Sequence, residues 1–239
     1  MPILSSSATL LSMRLSFRSP SLFFGIVLTF SLANAQDTTD IKVSERYTLT
    51  ADQIYHRVAA RRDATYFLTL TGVYFTGGDW SHSAMVETFR HAAKILEQCG
   101  LILSQIELVR VDAPPRYHYF YTPVSRELAR VLALPKPTVY FVTDTRQRPA
   151  FDAEAIGRGN SQTRPELADS VWLTRDTRDV GVALAHELVH VLSDSGQHVD
   201  LPENLLREET APGNTLLTSA QCSQLRDVGA KNGLLHVMK

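Results

Sequence analysis

The stretch ALAHELVHVLSDSGQHVDLPENLL, residues 183–206, decides how this chain is read. It holds His186, Glu187 and His190 in the order His-Glu-x-x-His, inside the apolar run VGVALAHELVHVL. Positions four apart lie on one face of a helix, so His186 and His190 point the same way, one turn apart. Two imidazoles so placed can bind one metal ion, and Glu187 lies beside it, where a general base takes a proton from water. Zn²⁺ suits the donor set, because it accepts imidazole nitrogen and tolerates an open fourth position. The competing reading is two histidines hydrogen-bonded on a helix face, but imidazoles in so apolar a helix need partners, and burial without one is costly.

A third ligand has to come from beyond the helix. His198 follows the turn-forming Asp194-Ser195-Gly196. Asp200, Glu203, Glu208 and Glu209 are rival donors. The sequence here resembles the metzincins, zinc peptidases marked by His-Glu-x-x-His-x-x-Gly-x-x-His and a methionine turn beneath the metal. The match is divergent: Ser193 stands at the family's glycine position, Gly196 at its third-histidine position, and the loop is two residues longer before His198. PENLL, residues 202–206, resembles the methionine turn with Leu206 in place of methionine. The resemblance is strongest over residues 168–206. It implies a peptide substrate, His186, His190 and His198 as ligands, and Glu187 as catalytic base. It also implies that the strand just before the active helix, ADSVWLT, is a sheet edge that pairs with the substrate backbone; its other reading, an ordinary strand of the sheet core, stays open. In the thermolysin-like class, by contrast, the third ligand is a glutamate on a later helix, which here points to Glu208 or Glu209.

Working outward, residues 65–75 (TYFLTLTGVYF) are rich in β-branched and aromatic side chains and predict a strand, which Gly77-Gly78 ends. Residues 81–100 predict a helix capped by Ser81 or Ser83, with Met85, Phe89, Ala92 and Leu96 in one stripe and Gly100 at its end. The segment 50–62 has helical spacing at Ile54, Val58 and Ala59. Residues 103–111 predict a second strand, 123–134 a short helix, 137–145 a third strand and 168–175 a fourth. YHYFY, residues 117–121, is loop or strand. Residues 155–166 predict a loop, in which Arg158, Asn160 and Arg164 make a polar cluster. The active helix starts near Asp179, a suitable N-cap. After Leu192 the pattern is irregular until a helical stretch at 218–231. The expected fold is α+β, a metzincin-like zincin with a mixed sheet, an active-site helix and an irregular C-terminal subdomain.

The N-terminus is different in kind. Arg14 and Arg18 precede the apolar SLFFGIVLTFSL, residues 21–32, and Ala33-Asn34-Ala35 follows. That order predicts a secretory signal peptide over residues 1–35, with an apolar core short of the about 20 residues a membrane span needs. Residues 36–239 then form a single zinc-peptidase-like domain that is secreted or periplasmic, with no stable membrane span. Export to an oxidising compartment predicts that the two cysteines, Cys99 and Cys222, form a disulfide. A formal net charge of −1 excludes the basic excess that nucleic-acid binding requires. The expected partner is a peptide or protein substrate, acted on by a monomer. A different class stays open: a secreted non-catalytic binding or scaffold domain whose zinc site is structural or vestigial, marked by a fourth protein ligand such as Asp200 or Glu208.

Overall fold

A computed structural model describes residues 40–55, 65–145, 155–158, 165–175, 179–208 and 210–237, all within one unit spanning Asp37–Lys239. The signal peptide predicted for residues 1–35 lies outside the described residues, as do His56, Asn160, Arg164 and Glu209.

The chain runs β1 (Lys42–Thr50), α1 (Ala51–Ile54), β2 (Tyr66–Phe75), α2 (His82–Leu96), β3 (Leu101–Asp112), β4 (Tyr119–Phe120), α3 (Thr122–Leu132), β5 (Thr138–Phe141), β6 (Asp144–Thr145), β7 (Ala155–Arg158), β8 (Ser170–Leu173), α4 (Val180–Ser193), α5 (Ser219–Lys231) and β9 (Leu235–Val237). The main sheet is mixed, in the order β1-β3-β2-β5-β8-β7, with β9 added against the start of β2. Strands β3, β2, β5 and β8 are parallel, whereas β1, β7 and β9 pair antiparallel. The architecture is the expected α+β type with a mixed sheet.

The parallel strands are covered on both faces, and their side chains alternate between two cores, as a period of two requires. Val139, Phe141, Val171 and Leu173 join α2, α4 and α5 on one face. Tyr140, Val142 and Trp172 join α3 on the other. Trp172 is a packing residue: its ring stacks on Tyr140 at 3.9 Å, and its indole N–H donates to Ser170 Oγ. The ends of the α2 segment follow the sequence: Ser81 Oγ accepts from the Ala84 N–H, and a 3-10 turn over Glu97–Cys99 carries the chain on to Gly100, in the left-handed region at φ 71°. Cys99 and Cys222 pair as a disulfide with Cα atoms 5.0 Å apart, tying the end of α2 to α5.

Several expectations need correction. ADSVWLT is not an edge: β8 lies between β5 and β7, hydrogen-bonded on both sides. The edge is β7, inside the segment expected to be loop; its four residues are too few for a pattern, and pairing with β8 organises them. The helix expected over 50–62 is described only at Ala51–Ile54, where Tyr55 turns to extended backbone. The strand expected over 137–145 stops at Phe141 and resumes as β6, whose partner is β4 rather than the main sheet. Lys42–Thr50, to which the sequence pattern assigns no element, forms β1, a strand exposed along most of its length and therefore lacking the usual in–out contrast.

Candidate metal centre

Helix α4 carries the motif. Asp179 caps it by accepting a hydrogen bond from the Val182 N–H at 3.0 Å. Gly181 lets α2 approach: a Cβ there would stand 2.5 Å from His91 Cβ. From Gly181 to Ser193 every residue is buried except Glu187. A helix apolar on nearly all sides belongs in a core, and Glu187 is the one residue of this span that is not buried.

His186 and His190 are therefore buried imidazoles, and each needs partners. His186 Nδ1 lies 2.6 Å from the Leu205 carbonyl oxygen, and His190 Nδ1 lies 2.6 Å from that of Ser195. A carbonyl only accepts, so both Nδ1 atoms carry hydrogen and donate, and both Nε2 atoms present lone pairs. Those two Nε2 atoms are 2.9 Å apart. The Nε2 atom of His198 completes a triangle, 3.2 Å from His186 and 3.1 Å from His190. Lone pairs facing each other at this range repel, and a cation among them turns repulsion into coordination. Zinc–imidazole bonds of about 2.0–2.1 Å place tetrahedral donors about 3.3 Å apart, so the triangle fits such an ion. Burial and the neighbouring His190 pull the pKa of His186 down to about 4, and burial also depresses that of His190. Both rings are neutral at pH 7, the form that binds metal.

His198 arrives by a turn within the expected Asp194-Ser195-Gly196 segment, made at its first residue. The helix closes at Asp194, which sits in the left-handed region at φ 47° and donates its N–H to the carbonyls of His190 and Val191. Asp194 redirects the chain, while Gly196 is unconstrained, because a Cβ added there would meet nothing within 4 Å. His198 itself is exposed. Among the described residues, these three histidines are the group able to hold a metal ion. Asp200, Glu203 and Glu208 do not join it.

The remaining described histidines do other work. His82 meets Tyr47 edge-on, His91 stands 3.4 Å from Asp179, His118 stacks on Phe75, and His236 lies in β9 opposite Phe67. The roles of the Leu205 and Ser195 carbonyls are invisible in the sequence, because backbone acceptors carry no residue signature. Leu205 and Leu206 of the PENLL turn are buried beside the site, with Leu206 filling apolar core. Among the described residues, no helix is long and apolar enough to cross a membrane. No protein-family model matches the chain, and no curated protein matches its sequence.

Proposed function

We propose that the chain is an exported zinc-dependent peptidase of metzincin-like type. His186, His190 and His198 hold the ion, and Glu187 is the general base. One observation carries the reading: three Nε2 atoms converge within 3.2 Å on a helix span whose one residue that is not buried is Glu187, next in sequence to His186. Zinc bound by three imidazoles supplies Lewis acidity, polarising a carbonyl and making water acidic near neutral pH. Glu187 accepts a proton from the attacking water and passes it to the leaving amine. The Leu205 and Ser195 carbonyls hold the two helix imidazoles with Nε2 free of hydrogen.

Antiparallel edge strand β7 takes the role first expected of β8. Among the described residues no strand pairs with its outer side, and it lies against both β8 and α4. An extended peptide adding to that edge runs past the helix that carries the ligands. The disulfide supports an oxidising destination, outside the cytosol or in the periplasm. A purely structural site is disfavoured, since among the described residues no fourth protein donor joins the three histidines.

Purified mature protein tests the proposal. It should contain one zinc per chain and cleave members of a peptide library, and Glu187→Gln should retain the zinc while losing cleavage. Zinc-free protein, or full activity in Glu187→Gln, overturns the reading.

A further inference from the structure

The turn at residues 202–206 has two consecutive carbonyls, and each holds part of the site. That of Leu205 accepts from His186 Nδ1 at 2.6 Å. That of Leu206 accepts from the N–H of Val199, the neighbour of His198, at 2.9 Å. One dipeptide thus fixes the ring of one ligand and the backbone path of another.

Side-chain amides hold the dipeptide in turn. Asn204 is 3% exposed, and its Oδ1 accepts from the Leu206 N–H at 2.9 Å. The rest of its amide faces Gln221: Asn204 Nδ2 donates to Gln221 Oε1 at 3.0 Å, and Gln221 Nε2 donates back to Asn204 Oδ1 at 3.2 Å. Gln221 is itself held as part of the α5 cap, accepting from the Thr218 N–H at 2.8 Å. From the other side, Gln98 Nε2 donates to the Thr215 carbonyl and its Oε1 accepts from the Leu217 N–H, both at 2.8 Å. Between those two residues the Leu216 carbonyl accepts from the Leu205 N–H at 2.7 Å. Gln98 and Gln221 immediately precede Cys99 and Cys222, so both amide clamps are anchored on the disulfide.

We propose that the reciprocal Asn204–Gln221 amide pair is a positioning device for the metal site, acting through the Leu205 and Leu206 carbonyls on His186 and His198. This rests on the reading that the three histidines hold a metal ion. Outer partners of metal-bound histidines fix ring orientation and tautomer, and losing them lowers metal affinity about 10–100-fold. The pair touches neither ion nor substrate; its effect reaches the metal through the two ligands.

The test measures Zn²⁺ affinity by chelator competition and the visible absorption of the Co²⁺-loaded protein, at a temperature where circular dichroism shows every variant folded. Asn204→Ala and Gln221→Ala should each weaken Zn²⁺ about 10-fold or more and alter the Co²⁺ bands. Leu216→Ala should change neither, because that side chain is 53% exposed and its backbone bonds remain. If either alanine variant fails to fold, Gln221→Glu replaces it: it keeps the acceptor for Thr218 and for Asn204 Nδ2 but cannot donate to Asn204 Oδ1. A several-fold loss of affinity is expected there. Wild-type affinity and Co²⁺ bands in the folded Asn204 and Gln221 variants overturn this inference and leave the metal site standing. A wild-type chain that binds no Zn²⁺, or a His186→Ala variant that binds it equally well, overturns the site reading and this inference with it.

Discussion

The candidate metal centre has two halves built on different principles. His186 and His190 stand on α4, buried between the sheet, α2 and α5, where hydrophobic packing fixes the backbone and 3.6-residue periodicity fixes the spacing. His198 stands on an exposed segment without regular structure, and its place is set by a hydrogen bond from Val199 to a turn that glutamines next to the disulfide hold in position. The helix half is rigid because the core is close-packed. The loop half is rigid only while a chain of polar contacts is complete, and so it is the half that small changes can loosen.

The largest effects come from the donors and the base. His186→Ala and His190→Ala should each lose metal and activity together, and His198→Ala should do the same if the loop half is as necessary as the helix half; metal analysis after desalting distinguishes these. A His198→Ala chain that keeps stoichiometric zinc breaks the comparison by making the loop half dispensable. Glu187→Gln should retain zinc and slow hydrolysis about 10²–10⁴-fold, the usual contribution of a general base.

The disulfide comes next. It closes a separation of 123 residues, and removing such a link costs about 2–5 kcal/mol. Cys99→Ser with Cys222→Ser should therefore unfold at clearly lower denaturant concentration. If the loop half depends on this anchor, zinc affinity measured below the transition should also fall, while α4 helicity persists.

The helix half is tested at Gly181. Any Cβ there meets the His91 side chain within 2.6 Å and forces α2 from α4, so Gly181→Ala should cost about 1–3 kcal/mol in equilibrium unfolding. A neutral result would mean the two helices are less tightly packed than their contact shows.

The smallest effects sharpen where the chain turns. Asp194→Gly places at φ 47° the residue that tolerates it best and should stabilise the protein by at most about 1 kcal/mol, with zinc binding intact. Gly196→Ala should be neutral within about 0.5 kcal/mol, since its site is open. The opposite ranking would return the turn to Gly196.

What the sequence determined by itself was local or countable. The His-Glu-x-x-His spacing, the Asp179 and Ser81 caps, the α2 stripe and the terminating Gly100 all depend on residues within a few positions of one another. The disulfide followed from having two cysteines and an export signal expected in residues 1–35. Tertiary structure alone decided the rest. That β7 rather than β8 is the edge depends on which strand lies beyond which, a choice no four-residue pattern records. β1 and β9 are strands because β3 and β2 offer them free edges. Asp194, rather than the more permissive Gly196, makes the turn because the helix ends there against its own carbonyls. The protonation pattern of the two buried histidines belongs to the carbonyls of Leu205 and Ser195, backbone atoms whose positions arise only when residues far apart in the chain are packed together.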